Sequence, residues 1–181
     1  MKKILLVVMI VTLLTPLKIP MAYEEPDDSG ESENEESFPY PKLDDLMKEL
    51  KDKFNTAIIL ITHDLGVVAD LCTRIYVMYG GIIVEEGTDE DIFYRGKHPY
   101  TIGLLKSVPN PKSLVKEKLI PIEGQPPDLF KPPVGCPFAA RCKYAMKICT
   151  QKMPPSFKEG EGHNVSCWLC HENAPKVNLE K

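Results

Sequence analysis

In KLDDLMKELKDKF the apolar positions Leu43, Leu46, Met47, Leu50 and Phe54 recur at helical spacing, which predicts a helix over 43–54 closed by Asn55. AIILIT (57–62) is instead a continuous apolar run, the pattern of a strand buried on both faces in a parallel sheet flanked by helices. The usual parallel neighbours of such a strand are not evident in the chain, and a strand left uncovered pairs with other molecules. HDLGVVADLC predicts a short helix with Asp64 near its start. RIYVMY and IIVEEG flank Gly80-Gly81, a hairpin signal. Thr88 followed three residues on by Asp91 predicts a capping box for a helix through DEDIFY, and HPYTIGLLKS predicts one more short helix. Beyond 107 proline becomes frequent (Pro109, Pro111, Pro121, Pro126, Pro127, Pro132, Pro133, Pro137), and regular structure is expected to thin out.

The amino end reads differently. Lys2 and Lys3 precede an apolar run from Ile4 to Leu14 broken only by Thr12, the n-region and h-region of a secretory signal and too short to span a bilayer. Its cleavage site is poor, because Pro20-Met21-Ala22 puts proline where a small residue is wanted. YEEPDDSGESENEES follows, acidic and without aliphatics, and is expected to be disordered. Four pieces result: a signal-like leader (1–22), an acidic linker (23–41), an α/β portion (42–107) and an irregular portion (108–181).

Charge changes the picture only slightly. The formal charge is −4, and the eight acids between 19 and 41 account for all of it, leaving +4 elsewhere. With no basic run and no basic–aromatic alternation, nucleic acid is not an expected partner.

Cysteine changes it more, since five of the six fall between 136 and 170. Cys136, Cys142, Cys149 and Cys167 follow C-x5-C-x6-C-x17-C. Four thiolates suit an iron–sulfur cluster or tetrahedral zinc, and a proline-rich segment with little apolar core gains most from such a cross-link. Zinc sites more often show C-x2–4-C pairs, a spacing that only Cys167 and Cys170 meet. Disulfides and unmodified thiols remain open on spacing alone. CWLCH (167–171) also matches the c-type haem attachment pattern, yet residues 172–181 hold neither methionine nor aromatic to build a pocket. Cys72, on the short helix, reads as a small buried hydrophobe.

ILITHDLGVVADLCTRIYVMYGGIIVEEG, then GKHPYTIGLLKSVP, then IPIEGQPPDLFKPPVGCPFAARCKYAMKIC and HNVSCWL, form an ordered series from about Leu43 to Leu169. The series resembles the ATP-binding subunits of dipeptide and oligopeptide ABC importers. The match is to the last part of the nucleotide-binding domain, a P-loop NTPase fold of α/β class, and to its Cys-containing extension. The resemblance implies ATP as cofactor, with a second ATP-binding subunit and transmembrane permease subunits as partners. It places the chain peripherally at the cytoplasmic face of the membrane, where the leader would argue for export. It makes His63 the switch histidine that contacts the ATP γ-phosphate; from the residues alone, His63 could equally cap the helix that follows. It makes Cys136, Cys142, Cys149 and Cys167 the ligands of a [4Fe–4S] cluster, with zinc as the alternative.

Departures from the family pattern limit the activity. No G-x-x-x-x-G-K-[ST] occurs: the only Gly-Lys is Gly96-Lys97, with Asp91 where the first glycine belongs. The signature loop, the Mg²⁺-binding aspartate and the catalytic glutamate are missing too. The expectation is a partial importer subunit that does not hydrolyse ATP alone. The reading from a different class is an exported, cysteine-stapled or metal-binding module.

Overall fold

The computed structural model describes residues 6–9, 43–54, 57–107 and 121–179. The acidic linker, most of the leader and the segment 108–120 lie outside them.

A mixed six-stranded sheet organises these residues. Its strands in chain order are β1 (Leu6–Met9), β2 (Ile59–Ile61), β3 (Arg74–Tyr79), β4 (Ile82–Gly87), β5 (Phe157–Gly160) and β6 (His163–Val165). Across the sheet the order is β2-β1-β3-β4-β6-β5. β1 pairs parallel with β2 (Leu6 opposite Ile59) and with β3 (Leu6 opposite Arg74), and the other neighbours are antiparallel. The expectation that 57–62 lacks a parallel neighbour is therefore corrected, since β1 comes from inside the expected leader. A second expectation for that strand also fails. β2 is an edge strand, not a doubly covered one, and Ile59 and Ile61 are exposed.

The helices fall where side-chain spacing put them. They are α1 (Leu43–Phe54), α2 (Leu65–Leu71), α3 (Asp89–Arg95), α4 (Pro99–Lys106) and α5 (Lys147–Gln151). Met47 turns the apolar face of α1 toward the core, while Leu46, Leu50 and Phe54 stay largely open. Thr88 caps α3 with the full box: its hydroxyl accepts from Asp91 N–H at 3.2 Å, and the Asp91 carboxylate accepts from Thr88 N–H at 3.0 Å. Gly80 and Gly81 turn β3 into β4 with φ of 58° and 83°, the left-handed pair that a two-residue hairpin needs. β3 alternates its residues, sending Ile75, Val77 and Tyr79 inward. They meet Val68, Leu71, Val84, Ile92, Tyr100 and Phe138 in one core, which Cys72, Cys136 and Cys149 join.

The portion beyond 107 is more regular than its prolines suggested. β6 pairs with β4 through Glu85–Val165 and Glu86–Asn164, and Ser166 N–H donates to Val84 O at 2.8 Å. The extension thus adds two strands to the same sheet. Proline-based reasoning missed β5, β6 and α5 because short strands and helices fit between prolines that are themselves spaced apart.

Polar groups buried under this seam hold it together. Glu85 is fully buried, and its carboxylate accepts from Lys97 N–H (2.8 Å), His98 N–H (3.0 Å) and His163 Nε2 (2.8 Å). Burial pushes His98 down to about 3, so it is neutral and its Nδ1 accepts from Tyr100 N–H at 3.1 Å. The unfolded chain therefore takes up a proton on this side chain that the native state refuses. A folded pKa below the unfolded one makes stability present above pH 6.5 and lost as pH falls toward about 3. The loss is expected at up to ~1.4 kcal/mol per pH unit from this residue alone. Urea melts between pH 7 and 4 check it: His98→Asn, which keeps a cap acceptor but does not titrate, should flatten the slope.

Candidate functional site

β2 ends at Ile61, and the chain then turns into α2 through Thr62, His63 and Asp64. Asp64 N–H donates to Thr62 Oγ1 at 3.0 Å, and the Asp64 carboxylate accepts from Gly66 N–H (2.8 Å) and Val67 N–H (3.3 Å). Asp64 therefore caps α2, and the capping alternative for His63 is corrected: the neighbour does that work. His63 is exposed at the carboxyl end of a strand with a parallel partner, the side of an open α/β sheet where ligands bind.

The cysteines form a separate centre. Cys136 follows Gly135, Cys142 closes the 3-10 turn Ala139–Arg141, Cys149 lies in α5, and Cys167 follows β6. Cys136, Cys149 and Cys167 are buried and Cys142 packs against the core. Burial pushes all the shifted thiols up, Cys142 to about 11 and Cys167 to about 12. Negative charge on neighbouring cysteines adds to this: Cys136, Cys142 and Cys149 all act on Cys167, and Cys136 and Cys149 act on Cys142. Such mutual influence places the four sulfurs within electrostatic reach of one another.

Backbone N–H groups oppose the rise. Those of Phe138 and Ala139 point at Cys136, that of Tyr144 at Cys142 and that of Leu169 at Cys167. Met146 N–H lies 3.4 Å from the Cys149 sulfur. Each of the four sulfurs thus has at least one amide donor that strengthens as the sulfur becomes a thiolate. The ordinary precedent for such donors is a sulfur held in its anionic form by a metal or cluster, whose positive charge offsets the repulsion among thiolates.

Cys170 differs. Its thiol is pushed up by burial and by the carboxylate of Glu159, to which it is hydrogen-bonded. His171 stacks with Phe157 and Trp168, with centroids 5.9 and 6.2 Å away, and its Nδ1 accepts from Asn173 N–H. The CWLCH stretch therefore sends Cys167 toward the other three cysteines, while Cys170 and His171 are engaged elsewhere. Cys136, Cys142, Cys149, Cys167 and Cys170 are thiols rather than disulfides, against the stapled reading. Among the described residues no three His, Cys, Asp or Glu side chains converge as a site for a metal ion.

Sequence patterns did not point to the Glu85–His163 pair. The signal available was the glutamate pair in IIVEEG, which places an acid at an inward position of a strand.

The cysteine centre depends on one close approach. Cys136 N–H donates to Cys149 O at 2.7 Å, and a Cβ on Gly135 would lie 2.1 Å from that oxygen. The family described as the oligopeptide/dipeptide transporter C-terminal region matches residues 84–149, which include this contact. The chain is 54% identical over 133 residues to the oligopeptide transport ATP-binding protein OppD of Bacillus subtilis, covering 74% of this chain and 37% of that protein. It is 51% identical over 135 residues to the dipeptide transport ATP-binding protein DppD of the same organism, covering 75% and 40%. To OppD of Haemophilus influenzae it is 48% identical over 134 residues, covering 74% and 40%. The chain thus spans about two-fifths of the length of the curated relatives it matches. Among the described residues no helix is long and apolar enough to cross a membrane.

Gly135→Ala is expected to separate the two backbones and cost about 3 kcal/mol or more. Gly160→Ala, whose Cβ would meet only His163 Cβ at 3.6 Å, is expected to cost less than ~1 kcal/mol. Thermal melts of the two variants against the parent make the comparison.

Proposed function

We propose that the chain, whose residues 84–149 match the oligopeptide/dipeptide transporter C-terminal region family, is the carboxyl part of an ATP-binding subunit of a di- or oligopeptide importer. The observation that carries this is identity near 50% over more than 130 residues to subunits named for dipeptide and oligopeptide transport. In this reading the partners are a second ATP-binding subunit and the transmembrane permeases, and the chain sits peripherally at the cytoplasmic face of the membrane. The leader (1–22) and acidic linker (23–41) are additions to a P-loop NTPase tail (42–107) and its extension (108–181).

His63 is the residue that would reach nucleotide. One ring nitrogen of an exposed imidazole at a strand's carboxyl end can donate to a γ-phosphate oxygen, adding charge stabilisation to a transfer that mostly needs positioning. The amide cradle, the lysine and the Mg²⁺ hydroxyl of a phosphate loop have no counterpart in the sequence. His63 alone therefore binds nucleotide weakly and turns nothing over. Titration of the full chain with MgATP is expected to give a dissociation constant of about 1 mM or weaker, with no phosphate release. Micromolar affinity or turnover would contradict the assignment.

Cys136, Cys142, Cys149 and Cys167 would hold a [4Fe–4S] cluster. Support comes from the four-thiol donor set, its burial and the amide donor aimed at each sulfur. When bound, the cluster supplies a cross-link between the 3-10 turn, α5 and the end of β6. Each of the four Cys→Ala changes is expected to remove most iron and acid-labile sulfide from anaerobically purified protein, with Cys170→Ala and His171→Ala near the parent value. Iron retained by Cys167→Ala and lost in Cys170→Ala would refute the ligand set.

A further inference from the structure

On the side of the hairpin turn a cleft of about 530 Å³ opens between Tyr79–Gly81, α4 and the segment 121–129. That volume is within the range of pockets that take small molecules. Its walls are largely apolar, with Leu104, Ile122, Pro127 and Leu129 among them. Two polar groups in it have unspent capacity.

The first is Tyr100, which is 1% exposed; its hydroxyl is buried and has no hydrogen-bond partner among the described residues. A buried hydroxyl without a partner is costly, so its persistence asks for a ligand atom. The second is Arg141. Its guanidinium donates to three neutral oxygens: Glu123 O (2.8 Å), Ile122 O (2.6 Å) and the Tyr79 hydroxyl (3.1 Å). Two of its five donors are left, and among the described residues no carboxylate pairs with it. Tyr79 joins the two groups, its ring 4.5 Å from that of Tyr100 and 5.9 Å from the Arg141 guanidinium carbon. A cation with spare donors and a buried hydroxyl, both packed on Tyr79 in the lining of one apolar cleft, complement an anion with two acceptor oxygens and an apolar body.

We propose that this cleft binds a small carboxylate on an apolar body, the carboxylate bridging Arg141 and the Tyr100 hydroxyl and the body lying along Leu104, Ile122 and Pro127. A short apolar peptide and a medium-chain fatty acid share that chemistry. The probes that separate them are dileucine and octanoate, each beside its carboxamide, titrated calorimetrically into the full chain. At least one acid is expected to bind with a dissociation constant below about 10 mM, and about tenfold tighter than its amide. Tyr100→Phe keeps the ring packing and removes only the hydroxyl, and should weaken binding several-fold. Arg141→Lys should weaken it further, but it also loosens Ile122 and Glu123, so Tyr100→Phe is the deciding variant. No binding by either acid, an amide as tight as its acid, or an unaffected Tyr100→Phe overturns the proposal. Binding of dileucine alone assigns the cleft to peptides, and of octanoate alone to fatty acids.

Discussion

One buried carboxylate holds the molecule together. Glu85 sits in β4 with no exposed surface, and a charge so placed survives only if its lone pairs are filled. Three donors fill them, and they come from different places. Lys97 and His98 bring the connection between α3 and α4, and His163 brings the first residue of β6. Asp91 stands on the other side of the His163 ring, 3.8 Å from Nδ1, so the imidazole lies between two carboxylates. Removing His163 would leave the buried Glu85 carboxylate short of a donor, which costs several times more than a surface pair is worth. Helix connection, hairpin and extension are thereby fixed to one another.

The cysteine centre depends on that attachment. Cys167 follows β6 after Ser166, Cys136 and Cys142 flank the 3-10 turn, and Cys149 lies in the short helix α5. What positions them is the shared core: Cys136 and Cys149 are buried among the same side chains as Tyr79, Tyr100 and Phe138. The Cys136–Cys149 backbone bond, with Gly135 leaving room for it, sets the spacing locally. Burial raises the Cys136, Cys142 and Cys167 thiols above their ordinary range, so they are neutral near pH 7.

Local patterns were legible and long-range ones were not. Helical spacing gave α1, the Thr88–Asp91 box gave α3, and two consecutive glycines gave the β3–β4 turn. Each is decided within a few residues of chain. AIILIT was read correctly as a strand and wrongly as a buried one, because an apolar run reports side-chain chemistry and not which neighbours arrive. The strand that does arrive, β1, comes from a segment whose charge and apolar run matched an export leader; four apolar residues satisfy both patterns. β5 and β6 are short and polar, with FKEG and HNV carrying no alternation, and form only because β4 offers an edge. Glu85 and His163 are 78 residues apart, and nothing local announced that Glu159 would stand beside Cys170. Those pairings are properties of the sheet order.

The central claim is that the cysteine-bearing extension and the preceding hairpin are one cooperative unit joined at Glu85. Native-state hydrogen exchange measures this directly. The account predicts that the amides of Ser166, Lys97 and His98 exchange with the same free energy as the β3–β4 ladder, and that Glu85→Gln lowers all of them together. Fast local exchange at Ser166 while β3 and β4 stay protected would contradict it, since the extension would then open on its own.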